Sequence, residues 1–290
     1  MSFRFKHKEG LSKGLRRIYT TELQAAATGL LPPEVEKDHD KAIHEARKSV
    51  KKVRGVLRLI QPQLGGEYKK TNTRLRGVGR KLSAFRDAGA ALETVEALEK
   101  QYPGEAKLTA LKVALTRQKA KAERAGDMPR LFEDLAAELQ AAAAEAEHWQ
   151  ISGDGFDVIE PGFKKSFRRG RKALDKALAT ATDVNFHDWR KRVKDHWYHV
   201  RLLEPCAKQL SSYAKLLRQL ETWLGDDHNL VVLHQKLQKD PQLRKSATAL
   251  ALAARRRDEL RGKAVELGRE IYRMKPGKLT GMVKGCWEAW

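Results

Sequence analysis

The chain has few cysteines and few aromatic residues, and it has no long apolar run. Only Cys206 and Cys286 occur in 290 residues, so neither a disulfide framework nor a CxxC metal site can be built, and a reducing compartment is the simpler expectation. Aromatic residues make up 7% of the sequence, which disfavours a single-strand nucleic-acid binder that works by base stacking. No stretch has the pattern of a signal peptide or a membrane-spanning helix, so we expect a cytoplasmic protein.

Motifs of phosphoryl-transfer and metal enzymes are also missing. There is no GxxxxGK[ST] phosphate loop, no HExxH and no paired-carboxylate site. A kinase or phosphohydrolase would need Mg²⁺ held by carboxylates. The pairs His39-Asp40 and His187-Asp188 do not supply such a site, because adjacent side chains on a helix point apart. The sequence therefore predicts a protein with no catalytic residues, no metal and no cofactor.

Positive charge is the strongest global feature of the sequence. It has 58 Lys and Arg against 37 Asp and Glu, a formal net charge of +21 and an isoelectric point near 10.0. Such an excess indicates a polyanionic partner. Nucleic acid, polyphosphate and an anionic membrane surface all qualify, because each releases counterions when Lys and Arg replace them. Charge alone does not choose among these three.

The spacing of apolar residues predicts an all-α protein. Apolar residues recur at intervals of three and four almost throughout, and Ala, Leu, Glu, Lys and Arg dominate. A chain of this length with 41% hydrophobic residues can bury a large core. The longest loop-like segment lies near the middle. We therefore predict one domain made of two helical halves, 1–149 and 162–290, joined by a loop at 150–161.

An internal repeat relates the two halves. The pattern H-x-x-R-K-x-V-K begins at His44 and again at His187, 143 residues later, and each copy continues to an arginine and a proline. Two further alignments keep the same order: Gly10–Arg17 with Gly162–Arg169, and Phe85–Ala88 with Gly225–His228. The repeat predicts a duplicated helical unit.

Each copy of the motif forms a helix with one basic face and one apolar face, at about 100° per residue. The basic faces consist of His44, Arg47, Lys48, Lys51 and Arg58 in the first copy, and of His187, Arg190, Lys191, Lys194 and Arg201 in the second. Packing requires only the apolar face, and like charges one turn apart repel by about a few tenths of a kcal/mol per pair. A bound polyanion is the counter-charge that this pattern predicts. The alternative is an ordinary solvated surface of a basic protein.

Each motif helix is expected to begin shortly before its histidine. Asp40 is the candidate N-cap of the first helix, and Asp183 or Asn185 is the candidate for the second. The free N–H groups and the dipole at a helix N-terminus favour an anion. The pattern therefore places His44 and His187 beside the predicted anion.

The repeated motif and two other segments resemble a known family. The two H-x-x-R-K-x-x-K helices, with Gly162–Lys172 and Leu224–Leu230, resemble the CHAD family, the conserved histidine α-helical domain, over nearly the whole chain. The resemblance implies two helical bundles related by a pseudo-two-fold axis around a basic channel or groove. It also implies non-enzymatic binding of inorganic polyphosphate and association with polyphosphate granules.

The resemblance further implies which residues line the channel. Both basic faces would do so, joined by four arginines of the preceding helices: Arg16, Arg17, Arg168 and Arg169. The copies differ in places, since Trp197 stands where the first copy has Arg54, and Asp195 where it has Lys52. We therefore expect the second half to hold the polyanion less strongly.

The remaining candidates are given structural roles, and one alternative function stays open. His196 falls on the apolar face and is expected in the core. Asp87 and Asp227 are expected to be caps or partners that orient a basic side chain. The alternative to polyphosphate binding is non-specific nucleic-acid binding, although the sequence has no helix-turn-helix, zinc-finger or aromatic RNA-binding signature.

Overall fold

The chain is helical along most of its length, as the computed structural model shows. It describes residues 3–105, 108–123, 128–240, 243 and 246–290, with the side chains of all of these except 84–88, 122 and 123. The helices are α1 (Leu11–Gly29), α2 (Glu34–Lys37), α3 (His39–Leu59), α4 (Gln61–Gln101), α5 (Thr109–Glu123), α6 (Met128–Ala144), α7 (Glu160–Ala179), α8 (Asp183–Leu203), α9 (Lys208–Lys239), α10 (Ala247–Ile271) and α11 (Pro276–Glu288). Within those described ranges there is no strand, which confirms the all-α prediction.

The two motif helices are α3 and α8, and they begin earlier than the sequence suggested. Asp38 caps α3, since its side chain accepts a hydrogen bond from the Lys41 N–H at 2.9 Å. Thr182 caps α8 through the Asn185 N–H at 3.2 Å. The predicted caps were wrong because Asp and Asn residues inside the first turn satisfy the same sequence rule as the true cap.

The order of helix contacts is the same in the two halves. In the first, α1 packs against α3 and α6, and α3 packs against α4; in the second, α7 packs against α8 and α11, and α8 packs against α9. The halves meet where α3 contacts α8. The pseudo-two-fold axis stays a prediction, and this repeated order of contacts is the feature that favours it.

Gly55 permits the close approach of α3 and α8. A Cβ atom built at Gly55 would lie 3.2 Å from the Cβ of Tyr198, the residue that aligns with Gly55 in the repeat. The next residue, His199, contacts the Gly55 carbonyl oxygen through Nε2 at 2.9 Å. A larger residue at position 55 would push the two motif helices apart.

The core is shared by the two halves. One apolar cluster includes Leu15 and Val53 together with Phe167 and Val193. A second cluster joins α4 and α5 to α9 and α10, and it includes Val95. Because both clusters contain residues from before and after the central loop, the halves bury their apolar faces together. The described helices are all too short or too polar to cross a bilayer.

Candidate anion-binding site

A cleft of about 270 Å³ lies between α3, α8 and α9, and we call it the central cleft. Among the residues that the structure describes, six Lys and Arg residues but a single carboxylate line it. The lining consists of His44, Arg47, Lys48, Lys51, Lys194, Trp197, Tyr198, Arg201, Arg218, Glu221 and Thr222. Four predicted residues from the first basic face thus meet two from the second.

Lys51 and Lys194, which align in the repeat, lie close together in the central cleft. Burial lowers the pKa of Lys51 to about 7, and the charges of Lys194 and Arg47 are the next causes. Part of the Lys51 side chain is nevertheless exposed to solvent. Burial is also the main cause of a lowered pKa at Lys194. Arg190, the repeat partner of Arg47, acts on both lysines. The cleft therefore disfavours protonation of its own lysines, first because it removes their ammonium groups from water and then because it places other cations beside them.

Glu221 of α9 partly neutralises this charge. Its carboxylate accepts a hydrogen bond from Lys194 Nζ at 2.6 Å and lies 3.4 Å from an Arg190 nitrogen. Burial tends to raise the pKa of Glu221, but Lys194 and Arg190 outweigh it and lower that pKa. Glu221 is therefore ionised, and a second carboxylate outside the cleft, that of Glu45, pairs with Lys48 at 2.9 Å. Cations still outnumber carboxylates among the described lining residues.

His187 lies beside the central cleft and does not line it, unlike His44. Its ring stacks on His228 with centroids 4.0 Å apart. Burial and then the charge of Lys191 lower the pKa of His187, and burial followed by His187 lowers that of His228 to about 4. Lys191 pairs with Asp188. Within the described part of the chain, His187 Nδ1 and Arg190 Nε are buried without a hydrogen-bond partner. Polar atoms at this end of the second basic face therefore lack hydrogen bonds.

The last arginines of the two basic faces have different surroundings. Arg201 lines the central cleft and lies over the rings of Trp197 and Phe3, at 5.1 and 5.5 Å from the ring centroids. Arg58 instead donates to Asp195 at 2.9 Å and lines a separate small cavity. The repeat predicted one shared site for both, but the contact between α3 and α8 at Gly55 leaves Arg58 outside the central cleft.

The four arginines of the preceding helices also lie outside the central cleft. Arg16 donates to the carbonyl oxygens of Ala146 and Trp149, at 3.2 and 2.6 Å, where α6 gives way to a short 3₁₀ helix. Arg17 donates through two nitrogens to the carboxylate of Glu9. These contacts give Arg16 and Arg17 structural roles. Arg168 and Arg169 are exposed on α7, and a role for them in binding stays a prediction.

The structural roles that the sequence predicted for His196 and Asp227 are confirmed. His196 is fully buried, with Ser166 Oγ at 2.8 Å and the Tyr213 hydroxyl at 3.1 Å. Asp227 is buried and accepts hydrogen bonds from Arg257 and Arg261 of α10. The side chain of Asp87 lies outside the described residues.

Sequence reasoning missed the contribution of α9. Arg218, Glu221 and Thr222 line the central cleft but belong to neither copy of the motif. Their spacing of three and four residues places them on one face of α9, which is the signal that could have identified them. Tyr198 was missed because it aligns with a glycine.

Comparison with known proteins identifies the family. The family model of the CHAD domain matches residues 20–238. The chain belongs to the CHAD family. In a search of solved structures, this CHAD protein aligns with the crystal structure of the CHAD domain from the plant Ricinus communis at 17% identity, a TM-score of 0.56, and coverage of 100% of this chain and 96% of that one. PptA from Streptomyces chartreusis aligns at 16% identity and a TM-score of 0.54, over 92% of this chain and 100% of that one. At these identities the two likenesses show the fold alone, and no curated protein matches.

Proposed function

We propose that this CHAD protein binds inorganic polyphosphate in the central cleft and does not alter it chemically. The observation that carries the proposal is the meeting of Lys51 and Lys194, one from each copy of the repeat, with Arg47 and Arg190 close enough to act on their charges. Such a cluster is unfavourable when empty and becomes favourable when closely spaced negative charges fill it. Polyphosphate carries one negative charge or more on each phosphate group along a thin, flexible chain.

The form of the cleft favours polyphosphate over nucleic acid. A cavity of about 270 Å³ between three helices admits a single string of phosphate groups, whereas a double helix would require an open basic surface. Stacking of single-stranded bases would require free aromatic rings. Arg201 already lies over Trp197, and Lys194 lies 5.9 Å from the Tyr198 ring centroid. Nucleic acid is the second candidate, bound weakly through its backbone.

The same family assignment supports a place for the protein in the cytoplasm on polyphosphate granules. A tagged protein that forms foci only in cells containing polyphosphate would support this part of the proposal. Uniform fluorescence in such cells would contradict it.

Charge reversal at Arg47 and Arg190 tests the binding site. The double variant Arg47→Glu, Arg190→Glu should weaken polyphosphate binding by more than about 100-fold, because two half-buried cations that act on Lys51 and Lys194 would become carboxylates that repel the ligand. The matched control is Arg171→Glu with Arg269→Glu, since both are exposed arginines outside the cleft. The control has the same net charge as the Arg47→Glu, Arg190→Glu variant. At the same salt concentration, its affinity for polyphosphate should be within about threefold of the wild-type affinity.

Titration calorimetry with polyphosphate and circular dichroism of each variant make the comparison. Retained binding in the cleft variant, with helical content unchanged, would show that another surface binds. Competition separates the two candidate ligands: polyphosphate should displace DNA or RNA of matched charge far better than the reverse. Phosphate release from polyphosphate in the presence of Mg²⁺ or Mn²⁺ would contradict the non-enzymatic part of the proposal.

A further inference from the structure

A second basic cavity lies between α3, α7 and α8, and it shares no lining residue with the central cleft. Four cationic side chains and one carboxylate, that of Asp195, contribute to its wall. The cations are Arg58, Lys165, Arg169 and Arg192. We call this cavity the Arg58 pocket.

The charges of the Arg58 pocket are not balanced from within. Asp195 accepts from Arg58 at 2.9 Å and lies 3.8 Å from Arg192. After burial, the charge of Arg169 is the next cause of a lowered pKa at Arg192. Lys165 donates to the neutral side chain of Gln61 at 3.1 Å. In the described part of the chain one carboxylate therefore faces four cations, and the excess favours an anion.

A buried histidine with one unpartnered nitrogen belongs to the wall of the Arg58 pocket. His199 is 1% exposed and contributes to the wall. Its Nε2 lies 2.9 Å from the Gly55 carbonyl oxygen, and since a carbonyl only accepts, Nε2 carries the proton. Burial lowers the pKa of His199 to about 4, so the ring is neutral at pH 7. Its Nδ1 is then a lone-pair acceptor, buried and without a partner among the described residues.

The enclosed volume is about 20 Å³, which is the space of one water molecule or one ligand oxygen. An ionised oxygen would be repelled by the Nδ1 lone pair, whereas an oxygen that bears a proton could donate to it. The remaining oxygens of such a ligand would lie outward, toward the exposed ends of Lys165 and Arg169.

We infer that the Arg58 pocket binds a phosphate group through its protonated oxygen, which donates to His199 Nδ1 while the basic side chains hold the charged oxygens. Orthophosphate and the terminal group of a polyphosphate chain share this chemistry. Sulfate lacks the proton at neutral pH and is disfavoured. The inference concerns a site apart from the central cleft and does not require that cleft to bind anything.

The groups that face the bound phosphate set its pH dependence. These are Arg58, Lys165, Arg169, Arg192, Asp195 and His199. Orthophosphate keeps at least one proton throughout the range from pH 5.5 to 8, so its binding should persist. A terminal phosphate group loses its last proton near about pH 6, as a phosphomonoester does, so a chain end should bind at pH 5.5 and not at pH 8.

The test uses titration calorimetry of the full chain with orthophosphate, sulfate and a short polyphosphate, each at pH 5.5 and 8. The titrations are repeated in the Arg47→Glu, Arg190→Glu variant, so that a failure of the central cleft does not affect the result. We expect saturable binding of orthophosphate at both pH values, and sulfate at least about tenfold weaker, which corresponds to one lost hydrogen bond to a buried acceptor. Binding of the short polyphosphate at pH 5.5 alone would identify the chain end as a second source.

Two arginines of α7 provide a matched pair of variants. Arg169→Gln should weaken orthophosphate binding about tenfold, because it removes a charged donor from the pocket wall. Arg171→Gln removes the same charge from an exposed position two residues further along α7 that does not line the pocket, and it should leave binding unchanged. Equal affinity for sulfate and orthophosphate, equal weakening in both variants, or no saturable binding would each overturn the inference.

Discussion

The two copies of the repeat use the same positions in different ways. Arg201 and Arg58 align, but Arg201 lies over the ring of Phe3, while Arg58 pairs with Asp195 at the edge of an open pocket. Lys52, which aligns with Asp195, also lies over Phe3, at 5.4 Å. The N-terminal segment thus fills the region between Lys52 and Arg201, whereas the region between the aligned residues Asp195 and Arg58 contains a cavity.

This difference shows that a duplicated motif fixes residue types more firmly than it fixes their roles. Arg17 and Arg169 align as well. The first is held by Glu9, a residue of the N-terminal segment, and the second is exposed. Arg17 is therefore part of the fold, whereas Arg169 remains available to an anion.

Removal of Phe3 should have the largest effect on stability. The side chain is 3% exposed, and Phe3→Ala should lower the free energy of unfolding by about 3 kcal/mol through the cavity that it leaves. The comparison variant in the region with the cavity is Asp195→Asn, which keeps the side-chain shape and should cost about 1 kcal/mol. Urea denaturation of both variants makes the comparison. Similar losses would mean that Phe3 contributes no more to the stability of its region than Asp195 contributes to the aligned one.

Substitutions of the aligned residues Arg16 and Arg168 should show the next largest difference in the free energy of unfolding. Arg16→Ala removes two hydrogen bonds to backbone carbonyls and should lower the free energy of unfolding by about 2 kcal/mol. Arg168→Ala changes an exposed residue and should shift that free energy by less than about 0.5 kcal/mol. Thermal unfolding monitored by circular dichroism would measure both. A loss in Arg168→Ala as large as that in Arg16→Ala would contradict the division into structural and available cations.

Substitution of Lys51 should have the smallest effect on the free energy of unfolding, and it should raise that free energy where the other substitutions lower it. Its pKa is about 7 in the folded chain, against an ordinary value of 10.5. The unfolded chain therefore binds more protons between these pH values, and stability should rise with pH across that window. Lys51→Met should raise the free energy of unfolding below pH 7 by about 1 kcal/mol, a modest figure because Lys51 reaches solvent. Denaturation at several pH values tests this, and a destabilised variant at pH 6 would contradict it.

The sequence predicted the helices and half of the central cleft. Period and composition were sufficient for the all-α fold because apolar faces must be buried whatever their partners are. The repeat was sufficient to predict that Lys51 and Lys194 lie in one site, since both lie on the faces that flank the contact between α3 and α8.

The remaining features depend on how the helices pack together, and the residue pattern within a single helix does not specify that packing. Glu221 enters the cleft from α9, and no local pattern states which helix will lie there. Arg58 lies on the predicted face, but the close contact at Gly55 directs the end of that face into another pocket. Arg16 looks like a ligand residue in sequence and is held by carbonyls of a segment 130 residues away.

Proton uptake on binding tests the central claim most directly. A polyphosphate chain in the central cleft should restore the charge of Lys51, whose pKa is about 7 before binding, so binding at pH 8 should take up a proton and weaken as the pH rises. Calorimetry in two buffers of different ionisation enthalpy measures that uptake. We expect uptake approaching one proton per site in the wild type and much less in Lys51→Met. Binding without proton uptake in the wild type, or equal uptake in the two proteins, would contradict the claim that polyphosphate occupies the cleft between the two repeated helices.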